Sequence, residues 1–312
     1  MLKKTVRTAL SMTYLASVEQ FPQQLREALE LSRDIRLTPK PHLLVLCVDS
    51  DASSVGEVVQ SLGCSIPVFT NTSDVLPAFV NHDTLVICVS YSGMALEVVH
   101  CAHAAVKMKT RLMIITSGGK LLAFAQAQNV VRFQLPAGHI ENSGLVLMPV
   151  VMLLARNNCV LLSKEEVKQG IQALAQTQMR EKASEIARQI GERTPCVYAG
   201  SQLAASTVCI KESLSRVAKI LAHANTFPAM ARKDAMVKHG KAYVLLLRDE
   251  CESQLVQAML DQYKNNMQER KIPCTEVMLR GKKKWNKLII AMMLGEYLAY
   301  FLAERLGVER KK

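Results

Sequence analysis

Two hydroxyls and a glycine lie in a short turn where a buried strand gives way to a helix. Thr84–Glu97 reads TLVICVSYSGMALE, and Ser90, Ser92 and Gly93 fall between the apolar run and the helical pattern. Parallel sheets bind ligands at the carboxyl ends of their strands, and the first turn of a helix offers unpaired N–H groups. The turn is therefore a candidate phosphate site, although Ser92 acting only as a helix N-cap would explain the same pattern.

A second glycine turn follows the next strand. Leu112–Lys120 reads LMIITSGGK, which places Ser117, Gly118 and Gly119 directly before Lys120. Glycines let the backbone approach a ligand closely, and a lysine supplies a cation for a phosphate. We expect this turn to contribute to the same anion site; an ordinary tight turn is the alternative.

The apolar pattern predicts the sheets that would position these turns. Continuous rather than alternating apolar runs, separated by helical patterns, are typical of parallel strands covered on both faces. The fold class is therefore α/β, with two doubly wound, flavodoxin-like parallel sheets in tandem. The predicted strands are Leu43–Val48, Pro67–Thr70, Thr84–Val89, Leu112–Thr116, Val130–Gln134, Cys196–Ala199, Tyr243–Leu247 and Pro273–Leu279.

The 312 residues suffice for two domains. We expect a first domain at 1–160, with a helical N-terminal extension around Gln20–Ser32, a connection at 161–194 and a second domain at 195–312. The connection is predicted to be one helix, Ser163–Ile190, starting with a capping box of Ser163 and Glu166. Gln202–Ser215 is a further predicted helix, and Leu288–Leu306 closes the chain.

Composition restricts the partners. The formal net charge of +12 favours an anionic ligand or surface without choosing among them. The nine cysteines form no CxxC pair, which argues against a metal site and for free thiols in a reducing compartment. There is no sustained apolar run of about 18 residues, so we expect a cytoplasmic protein without a membrane span.

The strand–SYSG–helix pattern followed by strand–TSGG–Lys resembles the sugar isomerase (SIS) domain family. The duplicated halves and the closing stretch GEYLAYFLAERLGV from Gly295 are similar to the bifunctional phosphoglucose/phosphomannose isomerases in that family. The resemblance implies a sugar phosphate as ligand, a homodimer, and no metal or other cofactor. Such isomerases move a proton between C1 and C2 of the sugar with a carboxylate base, and a His and a Lys open the ring.

The resemblance places the family's phosphate-binding serines at Ser90 and Ser92. Met94 and Ala95 stand where the family has Asn-Thr, and Lys120 stands where it has Arg. The phosphate anchor therefore matches in part, with one hydroxyl missing and bidentate geometry lost at Lys120.

The family's first glycine-rich turn corresponds to Val48–Ser54, which contains no glycine. Asp49 and Asp51 would repel a phosphate, whereas the hydroxyls of Ser50 and Ser53 could still donate to it.

The catalytic positions differ further. The resemblance places Arg216 at the family's base, Ala229 at a second glutamate and Arg232 at the ring-opening histidine. An arginine cannot abstract a carbon-bound proton at neutral pH. These replacements predict a phosphosugar-binding protein with impaired catalysis.

An active isomerase with a relocated base is the first alternative. Glu212 precedes Arg216 by four residues, about one helical turn, and His223 or His239 could replace the missing histidine. The catalytic candidates under this alternative are Glu212 and His223.

A nucleic-acid-associated protein on an SIS scaffold is the second, less favoured alternative. Lys264–Lys312 contains twelve Lys or Arg against five Asp or Glu, densest in Arg280–Lys287. This cluster could follow a nucleic-acid backbone, with Trp285 free to stack on a base, or it could be a solvated loop before a helix.

Overall fold

Two separate parallel sheets form the framework of the chain, as the apolar pattern predicts. The computed structural model describes residues 14–32, 40–140, 142–174, 177–229 and 241–308. The chain divides into an N-terminal unit, Gln20–Lys168, and a C-terminal unit, Gln169–Lys312 with Met1–Glu19, as far as these residues are described.

The N-terminal unit contains a five-stranded sheet. Its elements are α1 (Phe21–Leu31), β1 (Leu44–Val48), α2 (Ser53–Ser61), β2 (Val68–Asn71), β3 (Leu85–Val89), α3 (Leu96–Lys107), β4 (Arg111–Thr116), α4 (Gly119–Ala127), β5 (Val131–Gln134) and α5 (Ser143–Arg156). The order is β2-β1-β3-β4-β5, all parallel. Every residue of β1 and β3 is buried, whereas the edge strand β5 is mostly exposed and the edge strand β2 is partly exposed, which explains the continuous apolar runs of the central strands.

The C-terminal unit repeats the architecture with four strands. After α6 (Lys164–Leu174), which spans the boundary, come α7 (Met179–Ile190), β6 (Thr194–Gly200), α8 (Ala204–Ser213), β7 (His223–Phe227), β8 (Ala242–Asp249), α9 (Gln254–Glu269), β9 (Cys274–Leu279) and α10 (Lys284–Leu306). The order is β7-β6-β8-β9, again parallel. In both sheets the strand order reverses beside the first strand, so the predicted α/β class with two doubly wound sheets is confirmed.

Strand β7 was not predicted from the sequence. His223–Phe227 reads HANTF, and only Phe227 is buried. An edge strand of mainly polar residues has no apolar run by which a sequence pattern could reveal it.

The prediction of one continuous connecting helix, Ser163–Ile190, is wrong. The connection consists of α6 and α7, and Thr177 and Gln178 lie outside both. The capping box itself is confirmed: the Glu166 backbone N–H donates to Ser163 Oγ (3.1 Å), and the Ser163 N–H donates to Glu166 Oε2 (2.9 Å).

The long helix α10 is a core element of the C-terminal unit. It packs against α7 and α8, and Glu296 and Trp285 on it are almost fully buried. Among the described residues it is one helix with the length and hydropathy of a membrane span, but 89% of that apolar window is buried within the protein. The apolar composition of α10 is therefore explained by packing.

Candidate functional site

Three turns meet at the carboxyl edge of the N-terminal sheet. The strands β1, β3 and β4 are adjacent, and their carboxyl ends are in register to within one residue: Val48 pairs with Val89, and Val89 pairs with Ile115, the residue before the end of β4. The turns after these strands therefore emerge side by side at the position where the strand order reverses. They contain the residues that the sequence singled out.

The turns after β3 and β4 contact each other through their glycines. Gly93 has φ +65°, and a Cβ there would lie 1.9 Å from the Gly118 carbonyl oxygen. Gly119 has φ +68°, and its Cβ would lie 2.4 Å from the Ser92 carbonyl oxygen. Neither position tolerates a side chain, because both the conformation and the space require glycine.

The two serines of the first glycine turn differ in their surroundings. Ser90 is fully buried, and its hydroxyl has no hydrogen-bond partner among the described residues. The exposed Ser92 accepts a hydrogen bond from the Met94 backbone N–H (3.2 Å). The N–H groups of the first turn of α3 have no partner within the helix, so the turn provides donors for an anion. A buried hydroxyl without a partner is uncommon and indicates a site where a ligand or water completes the bonding.

The turn after β4 supports the turn after β3. Ser117 Oγ donates to the Tyr91 carbonyl (2.6 Å), and Gly93 O accepts the Leu121 N–H (3.0 Å), which is one of the orphan donors of α4. The Gly118 carbonyl accepts from Thr116 Oγ1 (3.0 Å). The described contacts of this turn are thus mostly structural, and exposed Lys120 is its cation.

The turn after β1 is occupied by its own carboxylate. Asp49 Oδ1 accepts the Ala52 N–H (3.0 Å) and so caps the short 3₁₀ turn Ser50–Ala52. Ser53 Oγ donates to the Ser50 carbonyl (3.1 Å), while Ser50 is exposed. In a glycine-rich anion loop such a backbone N–H would be available to the ligand, whereas here the Ala52 N–H already donates to Asp49.

A buried ion pair lies in the C-terminal unit. Arg216, in the π turn Leu214–Ala218 after α8, donates to Glu296 Oε1 (2.5 Å), and Ser213 Oγ donates to the same oxygen (2.6 Å). Tyr14 donates to Glu296 Oε2 (2.5 Å). The carboxylate is therefore fully satisfied although Glu296 is only 4% exposed. The sequence interpretation missed Glu296, since an acidic residue within an apolar helix gives no indication of its partner.

Residues 179–311 match the family model of the bacterial phospho-glucose isomerase C-terminal SIS domain. The C-terminal part of the chain therefore contains an SIS domain. The chain is 23% identical over 314 residues to the bifunctional phosphoglucose/phosphomannose isomerase of Caldicellulosiruptor bescii, with 92% of each chain covered.

Two further similarities extend over most of the SIS-domain chain. The bifunctional phosphoglucose/phosphomannose isomerase of Thermoplasma volcanium is 26% identical over 273 residues, which is 81% of this chain and 82% of the relative. The solved C-terminal domain of glucosamine-fructose-6-phosphate aminotransferase from Francisella tularensis superposes with a TM-score of 0.72 at 11% identity, covering 95% of this chain and 96% of that chain. The last similarity shows the shared fold.

The catalytic candidates of the SIS-domain protein lie in different places. Glu212 is in the last turn of α8, next to the π turn that carries Arg216. His223 is exposed at the amino end of β7, paired in register with Cys196. Arg232 and His239 lie outside the described residues. Glu212 and His223 remain predictions as catalytic groups.

The prediction that Trp285 is available to stack on a nucleic-acid base is wrong. Its side chain is buried in the C-terminal SIS domain and lies against Gly170, so no base can stack on it. Lys287 is also buried and forms an ion pair with Asp249 at the carboxyl end of β8. Lys284 is nearby, and burial lowers its pKa, with Lys287 adding to the decrease while Asp249 opposes it. The basic cluster Arg280–Lys287 is therefore not a continuous solvent-exposed surface, because Trp285 and Lys287 within it are buried.

No group of three metal-ligating side chains comes together in the part of the chain that the structure describes. The turns after β3 and β4 present hydroxyls and backbone N–H donors, which suit an anion.

Proposed function

We propose that this protein binds a sugar phosphate at the turns after β3 and β4 and that its isomerase activity is impaired. The observation that carries the binding is Ser90, a buried hydroxyl without a described partner, beside a helix N-terminus and the exposed Ser92. The similarity to phosphoglucose/phosphomannose isomerases supports a sugar phosphate as the ligand class. Lys120 adds a cation, and Ser50 and Ser53 are further candidate donors in the adjacent turn.

The impaired catalysis rests on Arg216. Where the family resemblance requires a carboxylate base, this chain has a guanidinium whose positive charge is neutralised by Glu296. An arginine that stabilises a buried carboxylate cannot also serve as a base, because it remains protonated throughout the physiological range.

Binding is tested by thermal shift and calorimetric titration with glucose 6-phosphate, mannose 6-phosphate and fructose 6-phosphate. Ser92→Ala should weaken binding about tenfold, as expected for one lost charge-assisted hydrogen bond. Ser65→Ala, an exposed serine in the loop before β2, is the matched control and should leave binding unchanged. Absence of binding for all three sugar phosphates would overturn the proposal.

The alternative of an active isomerase with a relocated base is tested in the same preparations. A coupled dehydrogenase assay with fructose 6-phosphate measures turnover directly. Our proposal expects binding without turnover, whereas turnover that Glu212→Gln abolishes would establish the alternative. Glu212→Gln retains the side-chain shape, so a loss of turnover with unchanged thermal stability isolates the carboxylate.

We further propose that the protein is cytoplasmic and forms a homodimer. The free thiols and the absence of CxxC pairs support a reducing compartment, and the family resemblance supports the dimer. Sedimentation velocity at micromolar concentration tests the oligomeric state, and a monomer would contradict it.

A further inference from the structure

Four basic side chains surround one cleft of the C-terminal unit. The cleft measures about 760 Å³, and its lining includes Arg188, Arg193, Lys241 and Arg305. Glu192 is its one acidic lining residue; the others are Gly191 and Leu306. The lining thus carries a formal excess of three positive charges within a volume typical of a small-molecule site.

The cleft lies at the amino edge of the C-terminal sheet. Arg193 directly precedes β6 and Lys241 directly precedes β8, and these neighbouring strand starts are tied by the Thr194 N–H donating to the Lys241 carbonyl (2.8 Å). Arg188 and Arg305 lie in the last turns of α7 and α10. Two neighbouring strand starts and the last turns of two helices therefore bring the four exposed cations to one cleft.

These cations differ from Arg248 and Lys287, two buried basic residues of the unit. Arg248 is matched by Glu252, Asp261 and Glu276, while Lys287 pairs with Asp249. In contrast, none of the four cleft cations forms an ion pair with a carboxylate among the described residues, although Arg193 donates to the Gln189 carbonyl (3.2 Å).

Helix dipoles account for only part of this arrangement. The carboxyl ends of α7 and α10 attract cations, which explains Arg188 and Arg305 individually. Lys241 lies on a strand start, however, and four like charges around one cleft repel each other unless an anion separates them. Three guanidinium groups can each form paired hydrogen bonds with phosphate oxygens.

We propose that this cleft is a second anion site, which binds a small ligand carrying a diphosphate or triphosphate group. A compact group with three or more negative charges matches the excess positive charge of the lining, whereas a sugar monophosphate carries fewer charges. The site is separate in position and chemistry from the hydroxyl-lined turns of the N-terminal unit.

Calorimetric titration with inorganic pyrophosphate, at low and at physiological salt, tests the proposal. Wild-type protein should bind pyrophosphate more tightly than orthophosphate, and Lys241→Gln and Arg193→Gln should each weaken pyrophosphate binding about tenfold. Lys282→Gln removes an exposed charge from the loop after β9, at the other edge of the same sheet, and should leave binding unchanged. Thermal melts establish that each variant is folded.

The outcomes separate the alternatives. No pyrophosphate binding, or an equal loss in Lys282→Gln, would overturn the proposal, the latter by showing diffuse charge attraction. A single-stranded oligonucleotide that binds while pyrophosphate does not would also overturn it and assign the cleft to nucleic acid. Pyrophosphate binding that persists in Ser92→Ala distinguishes this site from the sugar phosphate site, so either proposal can fail alone.

Discussion

Arg216 and Glu296 are joined by a 2.5 Å ion pair between the π turn after α8 and the core-facing side of α10. The carboxylate also accepts from Tyr14 and Ser213, so each of its oxygens has a donor. Two carboxylates this close would repel each other, whereas the arginine at this position satisfies the buried acid. Under our proposal the same arginine stands where the resemblance implies a carboxylate base.

Replacing Arg216 by methionine should destabilise the protein by about 1–3 kcal/mol. The cost stays below that of a fully buried pair because the Arg216 side chain is 27% exposed. The double variant Arg216→Met/Glu296→Gln should lose less than the sum of the single losses, because a neutral amide still bonds Tyr14 and Ser213 without an unpaired charge. Urea unfolding of the four proteins measures the coupling. Strict additivity would show that the pair contributes no coupling energy.

Glycine should be required at position 93 and dispensable at position 118. Gly93→Ala adds a Cβ at φ +65° that would lie 1.9 Å from the Gly118 carbonyl oxygen, so we expect a loss of about 3 kcal/mol or more. Gly118 has an extended φ of 176°, and its Cβ would meet nothing within 4 Å, so Gly118→Ala should change stability by less than about 0.5 kcal/mol. Chemical denaturation of both variants tests this, and equal losses would contradict it.

Strong apolar runs made the central strands and their turns predictable from the sequence. β1 and β3 are buried throughout and uniformly apolar, and β8 is buried throughout and apolar up to Leu247. β7 could not be predicted in this way, because an edge strand does not need an apolar run. The hydrogen bond by which Asp49 caps its own turn and the ion pair between Arg216 and Glu296 could not be predicted either. Both depend on three-dimensional contacts that the spacing of residues along the chain does not encode.

Cys251 should be the first thiol to react with an alkylating reagent. It is the one exposed cysteine, whereas six are buried and two are half-buried, and all nine are free. Burial raises the pKa of Cys64 to about 11 and that of Cys274 to about 12, so these half-buried groups are mostly protonated at pH 8. Iodoacetamide labelling followed by peptide mass spectrometry at pH 8 measures the order.

The Cys251→Ser variant supplies the control for this labelling. It should lose the fast phase and retain the slow ones. Fast modification of Cys64 or Cys274 in the native protein would contradict the burial that the structure gives them.

Glu276 should make the protein less stable in acid. Burial raises the pKa of its carboxyl, but hydrogen bonds from Lys264 and Arg248 lower that pKa by more. The pKa of Glu276 is therefore below its ordinary value of 4.5. A carboxyl with a lowered folded-state pKa stabilises the protein above the unfolded-state value, and this contribution is lost as pH falls through the folded-state pKa.

At pH 7, Glu276→Gln should therefore cost about 1–2 kcal/mol, because Arg248 and Lys264 lose a partner that is one-quarter exposed. The difference from wild type should shrink as pH falls below about 4.5, where the unfolded chain binds the proton first, and disappear once the folded-state carboxyl is also neutral. Glu269→Gln, an exposed acid at the end of α9, is the matched control and should show almost no difference at either pH. Urea unfolding at pH 7 and in acid measures both variants, and a Glu276→Gln difference that is independent of pH would show that lost packing rather than lost charge is responsible.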